Sequence, residues 1–350
     1  MIVTLILFFV ILGVTVLVHE FGHFIFAKMF GVDVFEFSIG MGPALFSHQS
    51  KKSETKYSIR AIPLGGFCSL AGEDPDEKEL AKTKGRNIQD KPLIKRFLIM
   101  FMGVGFNFIF AFLVLFAAGL IYGAPSKEAV ITGVTSGYPA ETSGIEVGDK
   151  ILKINDHKVT FLDDVSLYSA IEDMSKDVKV EVLKSDKTVK TYTITPKKSL
   201  TTTGKEAYFL GIELKPQVER GFFKSIKYAF FQEGALFKQM YTVLGSLFTG
   251  KVSVKELSGP VGIYSIVGTA RKQGAETLLY LIALLCVNVG VINLLPFPAF
   301  DGGRILFLII EKLKGSPVSP KVENTIHAIG FILLIILMIF VTFNDILRLF

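Results

Sequence analysis

Four stretches of this chain are long and apolar enough to cross a lipid bilayer, and they limit what it can fold into. They cover residues 2–30, 93–122, 277–300 and 326–343, and a helical span needs about 20 mostly apolar residues. Charged side chains, 20% of the total, gather between these runs, and mean hydropathy is +0.48. Such a distribution predicts a multi-pass α-helical membrane protein with soluble insertions. Residues 1–18 carry no charged side chain and show no small-residue cleavage site, so the first run reads as a retained span. A fifth apolar stretch lies within residues 221–250. Glu233 and Lys238 near its middle, with Lys224 and Lys227 before them, predict an amphipathic helix lying on membrane lipid.

Lysine and arginine bias sets the orientation. Lys51, Lys52, Lys56, Arg60, Lys95 and Arg96 flank the link between spans one and two, and Arg304, Lys312, Lys314 and Lys321 that between spans three and four. Both links are therefore expected in the cytoplasm, with the termini and the large central insertion outside, in the cell (cytoplasmic) membrane. In residues 31–92, a partly alternating run from Lys56 to a glycine pair at Gly65 and Gly66 predicts a membrane-associated β-hairpin, and residues 73–90 a mobile charged loop. Residues 126–216 read as a small α+β module with strands near 130, 150, 178 and 191 and a helix over 162–174. The net charge of +6 is modest. No basic run with interleaved aromatics points to nucleic acid. Cys68 and Cys286 form no metal-binding or disulfide pattern.

The chemistry concentrates at His19-Glu20-Phe21-Gly22-His23. On a helix, positions four apart lie about 40° from each other around the axis, so both imidazoles face one ion. Glu20 sits about 100° from His19, close enough to take a proton without occupying the metal. Three ionisable groups in an apolar run are costly unless something satisfies them, and Zn²⁺ does so. Catalytic zinc usually has three protein ligands. Asp301 is the candidate third, because spans one and three run in the same direction and both sites fall toward their C-terminal ends. Pro296 and Pro298 interrupt any helix before it, and irregular backbone at that depth belongs in a protein interior or a cavity.

Together the His-Glu-Phe-Gly-His run, the segment from Asn293 through Pro296 to Asp301-Gly302, and the central insertion resemble the site-2 protease family of intramembrane zinc metalloproteases. The closest likeness is to the bacterial, PDZ-containing type that activates sigma factors. The resemblance spans nearly the whole chain. It implies four transmembrane helices, a membrane-associated β-hairpin and an extracytoplasmic PDZ domain. It also implies zinc ligation by His19, His23 and Asp301, Glu20 as general base, and Asn293, Pro296 and Asn107 against the substrate. Implied substrates are single-pass membrane proteins such as anti-sigma factors, or remnant signal peptides. Gly103-Val-Gly-Phe-Asn107 resembles a family motif in which proline usually stands at the place of Val104. Tyr138–Asp149 resembles a bacterial PDZ segment, and Phe209–Ile212 reads either as its carboxylate loop or as a plain strand.

Two other classes compete. A non-catalytic PDZ-bearing membrane scaffold leaves His19, Glu20, His23 and Asp301 without a purpose in the bilayer. A transporter tolerates such charges and broken helices, but it usually carries repeated halves, and this sequence shows no internal repeat.

Overall fold

The structure is a computed structural model in which residues 1–49, 53–73, 83, 85–200 and 206–348 are described. It is mostly helical. Four helices are long and apolar enough to span a membrane: Ile2–Met29 (α1), Leu93–Tyr122 (α2), Ala275–Leu294 and Lys321–Leu347. The backbone falls into two compact units, Met1–Val114 with Lys255–Phe350, and Leu115–Val254.

In the first unit, α1 leads into a long hairpin, β1 (Val34–Gln49) and β2 (Lys56–Leu70). The register folds back on itself. Phe37 pairs with both Cys68 and Tyr57, and Ile39 with both Gly66 and Ile59, so β1 has neighbours on two sides along this stretch. Ala27, Val34, Leu70, Ile99, Met100 and Ile305 close a core around the end of α1. Most of the charged loop expected over 73–90 lies outside the described residues. Its end, Ile88–Asp90, is a 3₁₀ turn whose Asn87 and Asp90 cap each other.

The third span ends at Leu294 rather than running on to Phe300. Pro296 and Pro298 have no N–H to extend the ladder. A 14-residue helix, Asp301–Lys314, then occupies what the sequence suggested was a plain link. With Pro260–Gln273 as α3, this unit continues through α4 (Ala275–Leu294), α5 (Asp301–Lys314) and α6 (Pro320–Leu347). The N-cap of α3 is Gly259, which offers no side chain. Asp345 of α6 supplies the missing acceptor, taking the Gly262 N–H at 2.8 Å. Further along α3, Val267 and Ala270 pack against Phe8, Ile11, Leu281 and Leu285.

The second unit contains a four-stranded antiparallel sheet in the order His157–Lys158, Lys150–Ile154, Val178–Leu183, Val189–Ile194. Val178, Val180 and Val182 alternate inward, as one buried sheet face requires. They meet Ile131, Ile151 and Tyr168 of helix Asp163–Ile171 and its surroundings. The fifth apolar stretch forms helix Phe222–Phe248. Its Lys238 is not spent on solvent: Nζ reaches the buried Asp164 carboxylate at 2.6 Å, and Gln232 donates to Asp163. Phe223, Phe230 and Phe248 on this helix stay exposed. Burial pushes the Glu233 carboxyl up to about 7.

Candidate metal centre

Helical spacing puts His19 and His23 on one buried face of α1. Two glycines let α2 come close enough to back them. A Cβ at Gly22 would run into the Met102 carbonyl, and one at Gly103 would fall inside the His23 imidazole. His23 Nδ1 lies 2.8 Å from the Ile99 carbonyl of α2. A carbonyl only accepts, so Nδ1 carries the hydrogen and Nε2 presents its lone pair.

Asp301 comes from the broken end of the third span. After Leu295 the chain turns through Phe297 N–H to Leu295 O (2.7 Å) and Phe300 N–H to Phe297 O (3.2 Å), with Ala299 held at φ 80°. Asp301 then opens α5, where a carboxylate suits the positive helix end. Gly302 and Gly303 face the carbonyls of Leu294, Leu295 and Phe297 too closely for any side chain.

These elements bring three donor atoms together. Asp301 Oδ2 lies 3.0 Å from His19 Nε2 and 3.3 Å from His23 Nε2, and the two Nε2 atoms are 3.3 Å apart. Oδ2 is buried and makes no hydrogen bond. The point in their plane equidistant from all three lies about 1.9 Å from each, close to the roughly 2.0–2.2 Å that zinc keeps from nitrogen and oxygen ligands. Donor types, spacing and the unpartnered oxygen all fit Zn²⁺. Among the described residues, this is the one cluster of three His, Cys, Asp or Glu side chains able to hold a metal.

The remaining candidates surround it. Glu20 lies against β2 at Gly66. Asn107, fully buried on α2, places its amide nitrogen 3.4 Å from His19 Nδ1. Asn293 is half-buried in the last turn of α4, and Pro296 is exposed in the loop that follows. Arg304, one turn beyond Asp301, pairs with Glu73, whose charge raises its pKa further. Burial, with Glu20 and Glu73 nearby, pushes the Cys68 thiol up. Two participants escaped the sequence reading: the Ile99 carbonyl, which has no residue signature, and His327 on α6, which accepts the Ala299 N–H at 3.0 Å.

Two histidines and a carboxylate, with a neighbouring glutamate, inside a set of apolar helices define a membrane metalloprotease. Comparison with known proteins agrees. The model of peptidase family M50 matches residues 7–337. Zinc metalloprotease RasP of Shouchella clausii (strain KSM-K16) is 34% identical, over 99% of both chains. A Staphylococcus aureus (strain MSSA476) protein whose name includes zinc metalloprotease is 36% identical over 99% of both, and one from Fusobacterium nucleatum 36% identical over 97% of this chain and 98% of its own. This chain belongs to peptidase family M50, the site-2 proteases, and its cofactor is zinc. The first two alignments run over 431 and 432 positions, the third over 345. Those two relatives therefore carry residues that this chain, at 350, lacks.

Proposed function

We propose that the chain is an intramembrane endopeptidase that cuts single-pass membrane proteins within or beside their spans, with zinc held by His19, His23 and Asp301. The observation that carries this reading is the meeting of two Nε2 atoms from within an apolar helix and one carboxylate oxygen from the start of α5 at 3.0–3.3 Å. When bound, zinc lowers the pKa of its water and polarises the scissile carbonyl. Glu20 accepts that water's proton and returns it to the leaving nitrogen.

A substrate helix must unwind before it is cut, and its backbone then needs partners. Residues 66–70 of β2 pair with β1 on one side, and Gly66 adjoins Glu20. An extended substrate strand added to this edge would lie beside the base. Asn293 and Pro296, at the mouth of the broken span, hold the substrate backbone. Anti-sigma factors and remnant signal peptides are the substrate classes of this reading. The second unit acts as an extracytoplasmic PDZ-like domain over residues 126–216. Supporting this is a groove of about 570 Å³ lined by Tyr138, Val165, Ser169, Phe209 and Ile212 among others.

The test compares wild type with Glu20→Gln in a reconstituted cleavage assay, zinc being measured in both. Retained zinc with cleavage lowered by roughly 10²–10⁴-fold fits the base role. Undiminished cleavage refutes it.

A further inference from the structure

We propose that Asn107 is a positioning residue for His19, with its amide turned so that Oδ1 accepts the His19 Nδ1–H. The inference rests on the ligand role given to His19 above and goes beyond it, since it assigns Asn107 to the metal centre rather than to substrate.

The two imidazoles are served unequally. His23 Nδ1 donates to the Ile99 carbonyl, which leaves Nε2 unprotonated and aimed at the other donors. About two turns further along α2, Asn107 faces His19 Nδ1, but with its nitrogen, at 3.4 Å. A donor there would require a lone pair on Nδ1 and therefore a hydrogen on Nε2. That hydrogen would point at Asp301 Oδ2, 3.0 Å away, and at His23 Nε2, filling the space an ion needs.

Meanwhile Asn107 Oδ1 is buried and has no hydrogen-bond partner. The nitrogen and oxygen of a side-chain amide have nearly the same shape, and the hydrogen-bond network assigns them. Turning the amide by 180° brings Oδ1 to Nδ1–H and frees the Nε2 lone pair. Either orientation leaves one amide atom unpartnered, so the choice falls to His19. A neutral imidazole that ligates through Nε2 must carry its hydrogen on Nδ1, and Oδ1 is the atom of Asn107 able to accept it. Helix α2 thus orients both ligands, one through its backbone and one through a side chain.

The experiment measures zinc affinity of the full chain in detergent by competition with a chromogenic chelator. The variants are Asn107→Leu, Asn107→Asp, His19→Ala and the His19→Ala/Asn107→Leu double variant, with helicity monitored throughout. Leucine keeps the volume and loses the acceptor; aspartate keeps the acceptor. Asn107→Leu is expected to weaken zinc roughly 10- to 100-fold. Asn107→Asp should return to within a few-fold of wild type, and leucine should add nothing once His19 is alanine. Wild-type affinity in Asn107→Leu, equal losses in leucine and aspartate, or a full further loss in the His19→Ala background would overturn the inference. Undiminished zinc in His19→Ala would instead remove the underlying ligand assignment, and this inference with it.

Discussion

The Ala299 N–H donates to Nδ1 of His327 over 3.0 Å and thereby ties the fourth apolar helix to the loop that delivers Asp301. Ala299 is a non-glycine residue at φ 80°, a conformation that persists only where surroundings hold it. Gly330, one turn beyond His327, adds a backbone contact in which any Cβ would strike Pro298.

Replacing His327 should therefore loosen the ligand loop without touching the ligands. His327→Leu leaves the half-buried Ala299 N–H without its acceptor, a loss of about 1 kcal/mol, and zinc retention should fall by up to roughly tenfold. His327→Gln retains an acceptor and should recover most of it. Chelator competition reads both. Equal zinc affinity in the leucine variant and wild type would show that the loop holds itself.

Gly103 serves the site by having no side chain. Gly103→Ala should expel the His23 ring from its place and remove bound zinc and cleavage together. Gly105→Ala is the control. Its Cβ would press on the flexible Met102 side chain and merely touch Phe101, whereas that of Gly103 meets a ring fixed by the Ile99 carbonyl. Zinc-to-protein ratios close to wild type for Gly105→Ala and near zero for Gly103→Ala are expected. Similar ratios for the two would contradict the close packing.

Arg96 near the start of α2 donates from Nη1 to both oxygens of Glu311 on α5, at 2.8 and 2.9 Å. Both side chains are mostly buried, so losing one partner strands the other's charge. Arg96→Ala and Glu311→Ala should each destabilise the chain by about 3–5 kcal/mol, and the double variant by clearly less than the sum. Thermal unfolding of the three variants in one detergent provides the cycle. Strict additivity would mean that the pair contributes no coupling.

The active-site pattern was legible because a helix fixes the angle between His19 and His23, and because two prolines mark where the third span must break. What stayed hidden depended on partners distant in sequence. The Ile99 carbonyl leaves no mark on residue identity. His327 looks like a lone polar residue in an apolar helix until Ala299, 28 positions earlier, is folded against it. Helix α5 was read as a link because its apolar residues are interrupted by Arg304, Glu311 and Lys312, and the sequence does not reveal that Arg304 pairs with Glu73 and Glu311 with Arg96. Lys238 counted as a charge facing lipid headgroups, yet its carboxylate lies 74 residues upstream at Asp164.

In the second unit, Glu172 gathers Asn155 Nδ2 at 2.9 Å, His157 Nε2 at 3.0 Å and Lys251 Nζ at 2.9 Å. Burial opposes its ionisation, but these donors outweigh burial and hold the carboxyl below its usual range. A carboxyl depressed in the folded state contributes stability above its unfolded pKa, about 4.3, and loses it as pH falls through the folded value. Hydrogen-exchange protection of strand Val178–Leu183 should accordingly hold from pH 7 to about 5 and weaken below about 4.3, after correction for intrinsic exchange. Glu172→Gln should flatten that dependence. An unchanged acid profile in the variant would assign the effect to other carboxylates.

The insertion itself raises a question of order. In the orientation expected from charge bias, with residues 126–216 outside and the histidine-bearing end of the first span toward the cytoplasm, a substrate with a folded outer domain would meet the insertion before its span is cut. If the insertion works as a size filter, deleting residues 126–216 should let full-length substrate be cleaved without prior trimming, while pre-trimmed substrate is cut at the rate of the intact protein. A peptide receptor predicts the reverse, with trimmed substrate cut more slowly once the groove at Tyr138 and Phe209 is gone. Parallel assays on full-length and trimmed substrate separate the two, provided zinc content is unchanged. Continued resistance of full-length substrate after the deletion would rule out the filter.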